Sequence, residues 1–158
     1  MDSENLRHLA LLLRTERVAS LGTLRDGAPS VAMVLYAAAP DFSAFYLHLS
    51  RLAHHTQNIK HDHRVGLMIA EADRGSVDPQ SLRRVSIQSV AAMLDRESSK
   101  FDEAAKLYLA RFPEAEMSFS LGDFNLYRLE PLTARFIAGF GQIFNLTPAD
   151  FRSAGETA

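Results

Sequence analysis

The sequence predicts a mainly β fold, α+β by helix count, in the form of a small antiparallel barrel with a few flanking helices. Three features carry that expectation: short apolar runs with the two-residue period of strands, turn pairs placed to join them as neighbours, and only two or three segments with helical spacing. At 158 residues with 47% hydrophobic and 23% charged residues, composition is that of an ordinary globular chain, read as one domain spanning 1–158.

Leu6, Leu9 and Leu13 recur at helical spacing and predict an opening amphipathic helix that lies as a lid on the barrel. From Val18 the period changes. Val18 to Leu24 and Ser30 to Ala38 read as two strands joined at the Asp26-Gly27 turn, and Pro40-Asp41 ends the second. Phe45 to Leu49 predicts a third strand, Ala53 to His61 a polar helix, and Arg64 to Ala70 a fourth strand. Residues 73 to 82 are polar and turn-rich and read as a surface loop before a fifth strand, Arg83 to Met93. Ser99 with Asp102 three positions on resembles a capping box, followed by Phe101, Ala105, Tyr108, Leu109 and Phe112 at helical spacing up to Pro113. Phe124 to Leu129 and Ala134 to Ala138 are read as two separate strands, with Gln142 to Leu146 following the Gly139-Phe140-Gly141 turn. Thr147, Pro148 and Asp150 start a terminal helical turn.

A net charge of -2 supplies no global positive field, which argues against nucleic acid as a partner. The absence of cysteine excludes disulfides, thiolate metal sites and cysteine nucleophiles. Charges at Arg7, Arg14, Glu16 and Arg17 break any signal-peptide core, and no uncharged apolar stretch nears the roughly 18 residues of a membrane helix, so a cytoplasmic protein is expected.

The segment Ser50 to Asn58 leaves a strand and enters a helix, bringing hydroxyls, a guanidinium and free N–H groups to a positive helix end. Such a turn binds anions, phosphate in particular; equally, Ser50 is a simple helix cap and Arg51 a solvated charge. Arg83 and Arg84 precede an alternating run, so one of them faces inward or both are rim charges. His54, His55, His61 and His63 crowd ten positions, but without cysteine and with Asp62 at a helix end they are read as solvated or phosphate-facing, and no metal site is expected. No nucleophile elbow, Walker loop or dinucleotide fingerprint occurs, as expected where a cofactor supplies the reactivity.

In order, Leu21-Gly22-Thr23-Leu24, Asp26-Gly27-Ala28-Pro29, Tyr46 to Ser50, Leu52-Ala53-His54-His55-Thr56-Gln57-Asn58, Asp62-His63-Arg64-Val65, Arg84-Val85-Ser86-Ile87, Asp123-Phe124 and Arg135 to Gly141 resemble the pyridoxamine-phosphate-oxidase-like flavin split barrels, in particular their haem-utilisation group. The resemblance implies an FMN-binding split β-barrel, antiparallel and Greek-key-like, forming a homodimer with FMN at the interface and acting as an FMN-dependent oxidoreductase on a small-molecule substrate. Its alternative is a non-enzymatic flavin or haem binder linked to haem utilisation. Carried over by position, Ser50, Arg51 and Thr56 face the FMN phosphate, with Arg84 as second cation and His55 and Asn58 beside them. Ala32, Met33 and Val34 offer backbone to the isoalloxazine edge, and Gln88 contacts the ring. Ser89 stands where the family commonly has glycine, and the chain is expected to be the short form, at best a weak haem degrader, because no histidine follows Gly141.

Overall fold

A computed structural model describes residues 1–157. The chain runs α1 (Ser3–Thr15), β1 (Val18–Arg25), β2 (Ala28–Leu35), β3 (Ala37–Ala38), β4 (Phe45–Ser50), α2 (His54–His61), β5 (Arg64–Ala70), β6 (Arg84–Met93), α3 (Ser99–Arg111), α4 (Glu116–Ser120), β7 (Phe124–Gly139), β8 (Gln142–Leu146) and α5 (Pro148–Gly155). All strands join one antiparallel sheet in the order β2-β1-β5-β6-β7-β4-β3, with β8 added to β7. This is the split barrel the sequence predicts, mainly β with helices at its rim.

Local chemistry explains most boundaries. Asp26 and Gly27 both take positive φ (51° and 80°), so Arg25 pairs Ala28 across a two-residue turn whose twist matches its strands. Asp2 caps α1 by accepting the Asn5 N–H at 2.8 Å. Thr147 and Asp150 form a reciprocal capping box on α5. Side chains then sort by the period of two: Leu21, Leu47, Leu49, Val65, Leu67, Val85, Ile87 and Phe136 point inward and join Leu9, Leu13 and Phe151 from α1 and α5 in the main core. At roughly 1.5–3 kcal/mol per fully buried large apolar side chain, this core is the dominant favourable term.

Four expectations need correction. The strand expected over 30–38 stops at Leu35, because Tyr36 turns inward to donate its hydroxyl to the Leu13 carbonyl at 3.0 Å, and Ala37–Ala38 crosses to pair β4 instead. The two strands expected over 124–138 are one strand of 16 residues. Pro131, which lacks an N–H, is tolerated there because the β6–β7 register shifts between Gln88 and Ser89. The α3 cap is Ser98 rather than Ser99: its hydroxyl accepts the Phe101 N–H at 3.2 Å. Finally α4, absent from the sequence reading, follows a 3-10 turn at Pro113–Ala115.

The crossing at Tyr36 makes the barrel split. β2 pairs only with β1, and β3 covers only Phe45 and Tyr46 of β4, so Met33–Leu35 and His48–Ser50 present strand edges without a strand partner. A second, smaller core of Ala37, Leu94, Ala104, Tyr108, Phe112 and Leu126 lies under α3. No helix is long and apolar enough to cross a membrane among the described residues.

Candidate functional site

The gap between these edges is a cavity of about 390 Å³, walled by Met33, Val34 and Leu35 of β2, His48, Leu49 and Ser50 of β4, Ala53 and His55 at the start of α2, and Tyr108, Glu114, Ala115, Ser118 and Phe124 from the opposite side. β4 alternates Phe45, Leu47 and Leu49 into the main core and Tyr46, His48 and Ser50 to the other side, where Tyr46 packs on the second core and Tyr108 of α3 and Phe119 of α4 cover His48. The cavity therefore lies at the joint of the two cores.

His48 is its most constrained member. The imidazole stacks on Phe119 at 3.8 Å and 15°, with Phe124 and Tyr108 rings at 5.1 and 5.6 Å. Nδ1 lies 3.3 Å from the Ser118 hydroxyl. Burial, helped by the nearby Arg96 guanidinium, pushes its pKa down to about 4, so the ring is neutral in the physiological range. Burial also pushes Tyr108 up to about 12. Burial and the neighbouring His54 lower the pKa of the half-buried His55. Glu114 is ion-paired with Arg17 at 2.9 Å.

The α2 end differs from the expected cap. Its N-cap is Ala53, with no side-chain bond to the first turn, so the turn's N–H groups keep their positive end open. Ser50 instead braces the approach: its hydroxyl donates to Asp123 Oδ2 at 2.9 Å and accepts the Leu52 N–H at 3.2 Å, leaving it no spare donor for an anion. Arg51 is exposed, and its backbone N–H holds the Asp123 carbonyl at 2.7 Å. Thr56 is fully buried and its Oγ1 has no partner. Asn58, also buried, donates to Thr23 Oγ1 at 3.0 Å and pins α2 to β1. On β2, Met33 is exposed, Ala32 half-buried and Val34 buried.

Arg84 and Gln88 lie elsewhere. Arg84 pairs Ile137 and Ser50 pairs Phe124, positions near opposite ends of β7, so one chain does not bring Arg84 to the α2 turn. The Arg84 guanidinium donates to the Leu82 and Gln80 carbonyls at 2.9 and 3.3 Å. The two arginines take opposite faces: Arg84 shares the outer face with Ser86 and Gln88, whereas Arg83 is half-buried on the other side, paired with Glu71 at 2.8 Å and reaching His8 of α1, away from the α2 turn. Gln88 accepts from the Thr133 hydroxyl at 3.2 Å and lines a broader groove of about 910 Å³ on the outer sheet face, where Gly22 stands opposite Gly66. Sequence reasoning missed His48, Tyr108 and Ser118. The alternation of β4 marks His48 as facing away from Leu47 and Leu49, but nothing in that strand announces that α4 covers it.

The family model described as pyridoxamine 5'-phosphate oxidase matches residues 7–138. The haem oxygenase HutZ of Vibrio cholerae is 26% identical over 126 residues, covering 79% of this chain and 70% of HutZ. A solved structure of HutZ, described there as a haem storage protein, superposes with a TM-score of 0.72 at 21% identity, covering 86% of this chain and 90% of that one. The non-canonical haem oxygenase HOZ of Arabidopsis thaliana chloroplasts is 33% identical over 121 residues, 75% of this chain but 35% of HOZ. A haem-binding protein from Mycobacterium smegmatis superposes with a TM-score of 0.85 at 23% identity over 97% of this chain, which spans 62% of that protein.

Proposed function

The chain belongs to the pyridoxamine 5'-phosphate oxidase family, in its haem-utilisation branch, and from that premise we propose that it binds haem as cargo in the cavity between β2 and β4. The aromatic wall of His48, Tyr108 and Phe124, with Met33 and Leu35 opposite, carries this reading: a macrocycle needs a broad apolar platform, and these residues provide one beside an open strand edge. The uncapped α2 end and Arg51 are placed to meet anionic propionates. Holding haem fits the site better than cleaving it. The cavity's one carboxylate, Glu114, is turned to Arg17 at 2.9 Å, and the Ser118 hydroxyl is committed to the Ala115 carbonyl at 2.7 Å, so neither side chain is aimed at a bound macrocycle.

The second reading is the FMN-dependent oxidoreductase, favoured by one observation: the buried, unpartnered Thr56 hydroxyl in the first turn of an uncapped helix is where a phosphate would be held. FMN would bring hydride chemistry at its ring, while Thr56, Arg51 and the α2 N–H groups held the phosphate and the β2 backbone met the ring edge. Arg84 and Gln88 would then come from a second copy, whose docking would also cover Val31, Met68, Val90 and Leu132 on the outer face.

Titration of the purified chain with haemin and with FMN, followed by absorbance, tests both. A stoichiometric Soret band that persists with excess FMN and decays slowly under reductant and air is the expected result. Binding of FMN alone overturns the haem reading, and rapid decay to a bile-pigment spectrum overturns the assignment of haem as cargo.

A further inference from the structure

We propose, resting on the haem reading above, that His48 supplies the protein ligand to the iron and that Ser118 is the residue that positions its ring. The hydrogen-bond bookkeeping fixes the tautomer. The Ser118 hydroxyl hydrogen is committed to the Ala115 carbonyl at 2.7 Å, so at the 3.3 Å contact its oxygen accepts and His48 Nδ1 donates. In a neutral imidazole that leaves Nε2 as a bare lone pair. Nε2 makes no hydrogen bond within the chain and is not among the sealed, unpartnered nitrogens, while the residue lines the cavity. A ring nitrogen oriented by a bond to its other nitrogen is the usual arrangement of a metal-ligating histidine.

The metal this suits is one that brings most of its own ligands. A bare divalent ion needs three or four protein groups, and no cluster of three or more His, Asp or Glu side chains placed to hold one occurs among the described residues. A metalloporphyrin already supplies four nitrogens and asks the protein for one or two more. Stacking on Phe119 at 3.8 Å and 15° fixes the plane of the imidazole. His54, His61 and His63 are exposed and have no comparable brace.

The test is haemin titration of the full chain and its variants, with metal-free protoporphyrin IX as a parallel probe followed by fluorescence. His48→Ala should lose the ligated Soret band and bind haemin at least about 10-fold more weakly, with the band restored by free imidazole. Ser118→Ala, which keeps Nε2 but frees the ring, should weaken haemin about 10-fold. His63→Ala should match wild type. Protoporphyrin IX, which has no iron to ligate, should lose far less affinity than haemin in His48→Ala, which separates loss of the iron ligand from loss of the His48 ring as part of the wall. An equal loss for both overturns the assignment of His48 as ligand. An unchanged Soret band in His48→Ala, or its loss in His55→Ala instead, overturns the assignment of His48 while leaving haem binding intact. Failure of wild type to bind either porphyrin overturns the haem reading and this inference with it.

Discussion

Thr56→Val separates a stability cost from a binding function at one atom. Thr56 is 0% exposed and its Oγ1 meets no donor or acceptor, although the neighbouring Asn58 is satisfied by Thr23 at 3.0 Å. A buried hydroxyl without a partner costs about 1–3 kcal/mol of desolvation. Valine replaces that hydroxyl with a methyl of similar size and keeps the β-branch, so χ1 preference in the helix changes little. The ligand-free variant is therefore expected to gain about 1–2 kcal/mol, read as a higher urea midpoint at unchanged slope and a Tm raised by roughly 2–8 °C for a chain of this size. FMN affinity should move the other way by about 1.5–3 kcal/mol, the worth of a hydrogen bond to a charged phosphate, with riboflavin unaffected. A variant destabilised by 1 kcal/mol or more refutes the reasoning, since the hydroxyl would then already be satisfied in the folded chain.

Three further outcomes follow from the geometry. Arg84→Ala should weaken FMN more than riboflavin only at protein concentrations where light scattering shows a dimer, because Arg84 and the α2 turn lie near opposite ends of β7; an equal loss for both ligands removes Arg84 from the phosphate site. Gly155→Ala should cost about 1–3 kcal/mol by urea unfolding, because the added Cβ would stand 2.6 Å from the Asp41 Cα and 2.8 Å from its carbonyl carbon, backbone atoms that must move. For His48 the folded pKa of about 4 lies below the ordinary imidazole value of 6.5, so the unfolded chain binds the extra proton first. Its contribution is fully present above pH 6.5 and is lost as pH falls towards 4, by about 1–2 kcal/mol after allowing for solvent screening. His48→Phe should flatten that slope in denaturation curves recorded from pH 7 to 4.

Strands bounded by strong local chemistry were legible in the sequence. The Asp26-Gly27 turn, the alternation of Arg64 to Ala70 and the Thr147 cap each act within a few residues, and each lies where expected. The misplaced α3 cap is local, a shift of one residue from Ser99 to Ser98, but the two strand errors share one cause: a distant contact overrides a local signal. Tyr36 leaves its strand for the Leu13 carbonyl 23 residues away, and β7 continues through Pro131 because a bulge at Leu132, opposite Gln88 and Ser89 of β6, absorbs the misfit. Ser89 stands at that bulge and donates its hydroxyl to the Glu130 carbonyl at 2.6 Å, which accounts for a serine where a glycine was expected. The candidate site divides the same way. Met33, Val34, Ser50 and His55 do gather at one cavity. Ser50 is nevertheless consumed by Asp123, a partner 73 residues away that no spacing rule reveals, and His48 gains its significance only once α4 folds over it.

That dependence on α4 makes the cavity wall separable from the barrel. α4 has five residues with none fully buried; it is held by Phe119, which stacks on His48 and packs against Phe101 and Tyr108, by the Ser118 contact, and through the turn before it, where Glu114 meets Arg17. The pair is surface exposed, at 58% and 64%, so it is worth only about 0–1 kcal/mol. Arg17 also lies over the Phe112 ring at 5.0 Å, adding packing to the charge. Global stability should therefore barely register Arg17→Ala, whereas local opening of residues 113–120 should become easier by about 1 kcal/mol. Hydrogen exchange is the measurement that distinguishes these. Amides of α4 should exchange roughly fivefold faster in Arg17→Ala while those of β6 and β7 are unchanged, and haem release should accelerate in parallel because the wall carrying Ser118 opens more often. Faster exchange without faster release would mean that α4 does not gate the cavity. Uniform acceleration across the sheet would mean that Arg17 supports the barrel as a whole, and that wall and barrel open as one unit.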